Sequence, residues 1–462
     1  MDPLSAALAE IEANGGQNDE SPQCTPEKKK SDEDNVEKSQ QMIKKKETRS
    51  RLPVPQPDKN NGNLWSFLKQ CIGKELTKIS MPVQWNEPIS LLQRVSEYMN
   101  YAYLLKKAAS AKVSEERLEL VATFAVSALA SNFERMGKPF NPLLGETYEL
   151  KKDDFRIVCE QVGHHPPVSA WHATGAEGDT FVFHGSIYPK VKFWGKSVEF
   201  RPQGVCTLQF PGWENETFTW NNVNCIIHNV IVGTLWMEQQ GTMEIINHKT
   251  SAKVVLNFRP GGWFGGSNDL HTVEGFLLDQ HKRKKRFIYG RWTEFICSVD
   301  IDSLEKHLNC KVEKTDANAS NLPKHAPFEL CDIPNSKVLW HVDPRPEESS
   351  KFYNFSHFTM GLNEYEPEGD HLGLCSSDSR HRPDIRSLEN GRLEMAAQEK
   401  ERLETKQREY RKPFKNCKKE SDWWNPRWFM PSKNEFTKED DWSFIGDYWN
   451  KSRKVDGQLD IF

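Results

Sequence analysis

Between about residues 63 and 145, the hydrophobic positions of the chain recur at helical spacing. In the first such segment the apolar residues that share one helical face are Leu64, Phe67, Leu68, Cys71 and Ile72. A second helix is predicted from Pro88 to Tyr103. A third is predicted from Ser114, as its N-cap, to Met136. Because residues 120–129 are apolar almost all round, we expect this third helix to be deeply buried.

From Gly145 to about Val299 the period changes to that of strands. Short runs of β-branched and aromatic residues alternate with turn residues: Phe155–Glu160, Val168–His172, Thr180–Ile187, Val223–Val230, Thr242–Ile246, Ala252–Phe258, Val273–Leu278 and Arg286–Trp292. This spacing predicts an antiparallel meander that forms a large curved sheet or barrel. Several runs are apolar on both faces, so the inner wall is apolar too. A barrel of this many strands is too wide to fill with side chains, which favours an apolar ligand.

The remaining segments are predicted from their composition. Residues 309–335 read as a loop insertion, Val338–Trp340 and Tyr353–Met360 as late strands, and Ser387 to about Arg411 as a charged helix. The tryptophans that follow are expected to pack on the outside of the barrel: Trp423, Trp424, Trp428, Trp442 and Trp449. Residues 1 to about 60 are polar and predict a disordered tail. An alternative for its lysine runs is contact with anionic lipid.

Composition narrows the class of protein. With 462 residues, 37% of them hydrophobic, the chain can form one large domain or two of ordinary size, and its net charge of -4 predicts no nucleic-acid partner. No apolar run approaches the roughly 18 residues of a membrane-spanning helix, and the N-terminus lacks the basic region of a signal peptide. The ten cysteines have no zinc-type spacing, so we expect reduced thiols, a cytoplasmic protein and no metal site.

Motifs of enzyme active sites do not fit. Gly195-Lys196-Ser197 resembles the end of a phosphate-binding loop, but position 190 is Lys where that motif requires Gly. No nucleophile elbow, zinc-protease or dinucleotide-binding motif occurs. We therefore expect no catalytic residue, no cofactor and no enzymatic activity.

Two clusters of polar residues are candidates for anion binding, and each has a purely structural alternative. Imidazoles of His164 and His165, at the end of a predicted strand, can donate hydrogen bonds to a phosphate. The alternative is a strand-end turn whose histidines are satisfied by the protein. Lys400, Glu404 and Arg408 share one helix face at i, i+4 and i+8, where Glu404 can hold both cations toward a common anion. The spacing alone favours a surface salt-bridge ladder worth a few tenths of a kcal/mol per pair, and only the family resemblance described next favours the anion site.

Four motifs, in this order, resemble the oxysterol-binding protein-related family. They are Gly-Lys-Pro-Phe-Asn-Pro-Leu-Leu-Gly-Glu-Thr-Tyr-Glu at 137–149, Glu-Gln-Val-Gly-His-His-Pro-Pro at 160–167, His-Gly-Ser-Ile-Tyr-Pro-Lys at 184–190 and Arg-Pro-Asp-Ile-Arg at 382–386. The resemblance spans about residues 63–462. Gly163 departs from the Ser usual in the family, which removes a hydroxyl beside the site and adds backbone freedom. No pleckstrin-homology domain or ankyrin repeat is recognisable, so the chain resembles the short members.

For the fold, the resemblance implies a mainly β protein with flanking helices. Its centre would be a large, near-complete antiparallel β-barrel around an apolar tunnel. The expected order is a disordered segment at 1–60, an N-terminal lid at 61–80, helices at 81–137, the barrel at 138–360 and a C-terminal helical, Trp-rich subdomain at 361–462. The lid and tunnel residues would be Leu64, Phe67, Leu68 and Ile72. A helix that is permanently packed on the barrel is the alternative to a lid.

For function, the resemblance implies lipid transfer. A phosphoinositide, phosphatidylinositol 4-phosphate or a relative, would bind at the tunnel mouth, and a sterol (cholesterol or an oxysterol) would occupy the same tunnel. The headgroup ligands carried over are Lys138, Asn141, His164, His165, Lys400, Glu404 and Arg408. Alternatives are a phosphatidylserine carrier and a lipid-gated sensor or scaffold without net transport. The expected partners are an anionic membrane surface, contacted peripherally and transiently, and a protein at membrane contact sites.

Overall fold

The structure is a computed structural model. It describes residues 49–58, 81–176, 178, 180–230, 233–261, 270–314, 333–365, 373–417, 420–449 and 460–462. The predicted lid at 61–80, with Leu64, Phe67, Leu68 and Ile72, lies outside the described residues, as do residues 1–48.

The described chain alternates short helices with a long series of strands. The helices are α1 (Leu91–Ser96), α2 (Tyr103–Ser110), α3 (Ser114–Ser127), α4 (Ile301–Lys314), α5 (His357–Met360), α6 (Pro383–Glu389) and α7 (Leu393–Arg411). The strands are β1 (Asn86–Ser90), β2 (Lys138–Phe140), β3 (Thr147–Lys151), β4 (Phe155–His164), β5 (Pro167–Gly175), β6 (Val182–Phe193), β7 (Ser197–Gln203), β8 (Val205–Phe210), β9 (Glu216–Asn221), β10 (Asn224–His228), β11 (Trp236–Asn247), β12 (Lys253–Phe258), β13 (Thr272–Leu278), β14 (Lys284–Arg291), β15 (Phe295–Asp300), β16 (Lys337–His341), β17 (Phe429–Lys433) and β18 (Asp440–Phe444).

One large antiparallel sheet dominates the architecture. Within the described residues it has fourteen strands, twelve of which are neighbours in the order β3-β4-β5-β6-β7-β10-β11-β12-β13-β14-β15-β16. Strands β8 and β9 form a second path from β6 to β11, because the long β6 pairs with β8 near its start and with β7 near its end. The expected mainly β, antiparallel fold is confirmed. The end strands β3 and β16 do not pair with each other in the described part of the chain, so the pairing shows no closed barrel.

Helix α3 packs deep in the main hydrophobic core. Every residue from Arg117 to Ser127 is buried, as the apolar pattern predicted. The helix packs against β11, β12 and β16, and the ring of Phe124 lies 5.4 Å from that of Phe183 on β6 and 6.4 Å from that of Trp220 on β9. Part of the interior that the sequence pattern assigned to a ligand is therefore filled by a helix.

Two predicted helices are shorter than expected. The segment from Pro88 to Tyr103 begins as strand β1, and Ser90 then starts α1, because its Oγ accepts the Gln93 N–H and Gln93 Oε1 accepts the Ser90 N–H at 2.8 Å. The third helix ends at Ser127 instead of Met136, and Val113 is its N-cap in place of Ser114.

Three further predictions are corrected by backbone geometry. Tyr353–Met360 is not a strand: Tyr353 has a φ of 58°, in the left-handed region, and α5 follows. The predicted loop insertion at 309–335 starts too early, because α4 continues to Lys314. The charged helix predicted from Ser387 to Arg411 is two helices, α6 and α7, separated where Gly391 has a φ of 74°.

Residues 49–58 contact the domain, although the sequence pattern placed them in the tail. Leu52 is buried in a small cluster with Ile89, Phe352, Tyr353, Phe355 and Met360. Arg49 forms an ion pair with Glu389, and its Nε donates to the Met360 carbonyl at 2.6 Å. The packed part of the chain therefore begins earlier than predicted.

The tryptophan-rich segment covers the opposite face of the sheet from the main core. Trp428, Phe429 and Tyr448 pack against apolar residues of β4 and β5, and β17 pairs with β18 beside them. The buried Glu160 of β4 accepts the N–H groups of Arg427 and Trp428 at 2.8 and 2.9 Å. These contacts match the predicted position of the segment. No described helix combines the length and apolar character needed to cross a bilayer.

Candidate binding site

Three distant chain segments meet beside the C-terminal half of α7. They are the loop that follows β2, the end of β4 and α7 itself. Gln407 of α7 joins all three, because its Oε1 accepts the Leu144 N–H at 2.8 Å and its Nε2 lies 2.6 Å from Nε2 of His164. Since 243 residues separate Gln407 from His164, only the tertiary fold brings them together.

Lys138 lies at the start of β2, close to α7. Its Nζ donates to Oδ1 of Asn141 at 2.9 Å. Burial, together with the neighbouring ammonium of Lys400, lowers the pKa of Lys138 to about 8, while Glu404 acts in the opposite direction. Two lysines held this close repel each other, so an anion between them would relieve the repulsion.

Helix α7 presents Lys400, Glu404 and Arg408 on one face. Glu404 lies 3.7 Å from Lys400 Nζ and 3.9 Å from an Arg408 guanidinium nitrogen. Lys400 also donates to the carbonyl of Met81, and burial lowers its pKa. Arg408 is 63% exposed and donates to Thr405 Oγ1 at 2.7 Å. Both ion pairs that Glu404 forms on this face are long, so Glu404 lies between the two cations without a short contact to either in these pairs.

The backbone N–H groups of His164 and His165 hold these two residues in place. Their rings lie 4.6 Å apart, edge to face, and both backbone N–H groups donate to the Glu420 carboxylate, at 3.1 and 3.0 Å. Burial, together with the neighbouring His165 and Arg411, lowers the pKa of His164 to about 4, so its ring is neutral at physiological pH. Within the described part of the chain, Nδ1 of His164 is buried and has no hydrogen-bond partner.

A buried ion-pair network supports the loop after β2. Arg382 donates to the Asn141 carbonyl at 2.9 Å, to Glu146 at 2.8 Å and to Asp384 at 2.6 Å. All three charged residues are buried, and the guanidinium lies 5.4 Å from the ring of Phe140. Because a buried charge is costly unless it is paired, this network fixes the loop that carries Asn141 and follows directly after the strand of Lys138.

The structure thus brings the predicted headgroup residues into two linked groups. Lys138, Asn141, Lys400 and Glu404 form one, and the two histidines form the other; Gln407 connects them, with Arg408 next to it on α7. Sequence reasoning missed Gln407, Arg411 and Glu420. Neither residue spacing nor a motif indicates these contacts, because the partners are far apart in sequence.

An apolar wall extends from the main core along β6, β7 and β10. The residues that share this face of the sheet are Val191, Phe193, Val198, Phe200, Cys225 and Ile227. All six remain partly exposed, and Phe200 packs against the core cluster that contains α3. Apolar side chains left partly uncovered on a core-facing surface can take up an apolar guest.

Among the described residues, no group of His, Cys, Asp and Glu is arranged to hold a metal ion. The site offers cationic and imidazole donors, and the apolar wall belongs to the same large sheet as the strand that ends at His164. The donors are suited to binding a phosphate, and the wall is suited to binding an apolar molecule.

Comparison with known proteins identifies the family. The family profile described as oxysterol-binding protein matches residues 63–453. The chain belongs to the oxysterol-binding protein family. It is 49% identical over 420 residues to oxysterol-binding protein-related protein 1 of Rattus norvegicus, covering 88% of this chain and 43% of that protein. With oxysterol-binding protein-related protein 2 of Mus musculus it shares 46% over 438 residues, 90% of this chain and 89% of that protein.

Solved structures of the family share the fold. The Osh1 ORD domain, crystallised with cholesterol, has a TM-score of 0.75 and 32% identity, covering 90% of this chain and 95% of that domain. The Osh3 ORD of Saccharomyces cerevisiae, crystallised with PI(4)P, has a TM-score of 0.69 and 30% identity, covering 88% and 96%. Oxysterol-binding proteins are lipid-binding proteins rather than enzymes. The chain spans less than half the length of protein 1, to which it is similar.

Gly163, which stands where the oxysterol-binding protein family usually has Ser, changes the local structure little. A Cβ at this position would lie 3.3 Å from the Pro166 carbonyl oxygen and 3.5 Å from a methyl group of Val168. The φ of Gly163 is not in the left-handed region, so no glycine is required there. A serine would fit after a shift of a few tenths of an ångström, and the glycine does not disrupt the histidine segment.

Proposed function

We propose that the chain binds a phosphoinositide headgroup, phosphatidylinositol 4-phosphate or a close relative, with Lys138, His164, His165, Lys400 and Arg408. We further propose that it binds a sterol along the apolar wall of β6, β7 and β10 and exchanges the two lipids between membranes. Relatives support both ligands, since the Osh3 domain was crystallised with PI(4)P and the Osh1 domain with cholesterol and with ergosterol. The protein would act peripherally and transiently at membrane surfaces.

The observation that carries the proposal is the surplus of positive charge at the site. Lys138 and Lys400 lie close enough to lower the pKa of Lys138, while Glu404 is the carboxylate placed between Lys400 and Arg408. Each charge-assisted hydrogen bond to a phosphate is worth roughly 1.5–3 kcal/mol. A headgroup phosphate would supply the missing negative charge, which favours a phosphoinositide over an uncharged lipid.

The apolar wall supplies affinity without selecting among lipids. Burial of apolar surface stabilises a complex by about 25 cal/mol per Å², whatever guest supplies it. In this proposal acyl chains and a sterol both occupy the surface around Phe200 and its neighbours, since this surface is apolar, partly exposed and continuous with the main core cluster. Binding of one lipid would therefore exclude the other, and exclusion is what exchange between two membranes requires.

Charge reversal on α7 tests the headgroup assignment. Purified chain is incubated with phosphatidylcholine vesicles that contain either phosphatidylinositol 4-phosphate or cholesterol, and the extracted lipid is measured after the vesicles are removed. Arg408→Glu should weaken phosphoinositide extraction by at least about tenfold and leave sterol extraction unchanged. Arg402→Glu is the matched control, because Arg402 lies on the same helix and pairs with Glu399 at 2.7 Å, away from the site.

The outcomes separate the possible functions. Equal phosphoinositide extraction by both variants and the unmodified chain would contradict the headgroup site. Specific extraction of both lipids without accelerated transfer between donor and acceptor vesicles would contradict exchange and indicate a lipid sensor instead.

A further inference from the structure

The orientation of the Gln407 side-chain amide is fixed by the backbone. The Leu144 N–H can only donate, and it lies 2.8 Å from Oε1 of Gln407. Oε1 must therefore face Leu144, which places the NH2 group on the opposite side, 2.6 Å from Nε2 of His164. A rotated amide would set its NH2 group against the Leu144 N–H, leaving two donors without an acceptor.

The amide in turn determines which nitrogen of His164 carries the proton. An NH2 group can only donate, so Nε2 of His164 must present its lone pair. In a neutral imidazole the proton then resides on Nδ1. Nδ1 of His164 is buried and has no acceptor among the described residues, so its N–H is a donor without a protein partner.

We propose that Gln407 is a positioning residue that fixes His164 as the neutral tautomer protonated on Nδ1, ready to donate this hydrogen to a phosphate oxygen of the bound lipid. The inference rests on the proposed function, because it assigns a role within the same headgroup site. Nδ1 is shielded from solvent, so the phosphate reaches it by displacing an exposed neighbour, the ring of His165 or the side chain of Arg411.

The charged groups around His164 also favour a neutral ring. His165 and Arg411 lie near the ring and oppose a positive charge on it, in addition to the burial that lowers its pKa. The Glu420 carboxylate is occupied by the backbone N–H groups of both histidines. An imidazolium would also point an Nε2–H at the NH2 group of Gln407. The site therefore recognises phosphate with a neutral histidine, and its affinity does not depend on protonation of His164.

Nitrogen NMR of the full chain tests the tautomer directly. Histidine is labelled with ¹⁵N, and the ring nitrogens are assigned with a His164→Asn variant. Between about pH 6 and pH 8, His164 should show a protonated Nδ1 and an unprotonated Nε2. Gln407→Glu replaces the NH2 group with an acceptor of the same shape, so it should move the proton to Nε2 or charge the ring. Gln398→Glu, an exposed change on the same helix, should leave the spectrum unchanged.

Lipid extraction provides the functional readout. Gln407→Glu should weaken extraction of phosphatidylinositol 4-phosphate from phosphatidylcholine vesicles about tenfold, while cholesterol extraction and the melting temperature stay the same. A protonated Nε2 in the unmodified chain overturns the inference even if lipid is extracted normally. This NMR measurement uses the unmodified chain, so it does not depend on whether a variant folds. Failure of the unmodified chain to extract phosphoinositide, with the predicted tautomer present, overturns the proposed function and leaves only the tautomer assignment supported.

Discussion

Headgroup binding should weaken as pH rises through the range in which Lys138 loses its proton. Burial and the ammonium of Lys400 lower the pKa of Lys138 to about 8. A bound phosphate restores the pKa toward or above its usual value of about 10.4, since an adjacent anion favours the charged amine. The free protein therefore has to take up a proton on binding above about pH 8. The affinity for the phosphoinositide headgroup therefore falls as the pH rises.

The size of the effect follows from this linkage. With a free-state pKa of about 8, the fraction of charged Lys138 drops about tenfold between roughly pH 7 and pH 9, and affinity for the headgroup falls by the same factor. The assay is extraction of phosphatidylinositol 4-phosphate from vesicles across this range, with cholesterol extraction measured in parallel. Lys138→Arg keeps its charge throughout, so its extraction should not fall.

A second variant distinguishes the contribution of Lys138 to the pH dependence from that of Lys400. Lys400 also has a lowered pKa, caused mainly by burial. Lys400→Arg should retain the fall with pH if Lys138 carries it. A flat profile for the unmodified chain, or an equal decline in Lys138→Arg, would refute the reasoning.

The remaining predictions concern the support of the site, the apolar wall and the buried ion pairs. Glu420→Ala frees the backbone N–H groups of both histidines, so phosphoinositide extraction should fall about tenfold with sterol extraction unchanged; an unchanged phosphoinositide value would be evidence against this support. Phe200→Ala should weaken sterol retention by about 1–2 kcal/mol in a dissociation assay, whereas Val338→Ala, an exposed apolar control on β16, should not. Arg135→Met removes the ion-pair partner of the buried Glu97 and leaves the buried Glu87 with Arg94 as its cation, so it should lower the free energy of unfolding by roughly 3–5 kcal/mol in urea titrations; a loss below about 1 kcal/mol would disprove that role.

Local patterns predicted most of the sheet. Alternation and turn residues are properties of neighbouring positions, and each predicted strand between residues 155 and 292 overlaps one of β4 to β14. Errors arose where one backbone position decides the outcome, as at Tyr353 and Gly391. Burial of α3 was predicted from its apolar surface, but its place in the core depends on contacts with strands more than a hundred residues away.

In the candidate site, too, local spacing predicted some of the contacts and could not predict others. The common face of Lys400, Glu404 and Arg408 follows from helical spacing, and the structure shows it. The contacts of Gln407 with His164 and of Glu420 with both histidines connect residues about 250 positions apart, and no local signal encodes them. Family resemblance supplied the lysine and histidine candidates, but it did not indicate the amide and carboxylate that position them.

Native mass spectrometry of the chain incubated with both lipids tests the central claim most directly. If cholesterol and phosphatidylinositol 4-phosphate compete for the surface around Phe200, the spectrum should contain chains loaded with one lipid or the other, and raising one lipid should deplete the complex with the second. A substantial population that carries both lipids at once would contradict a shared cavity and, with it, exchange.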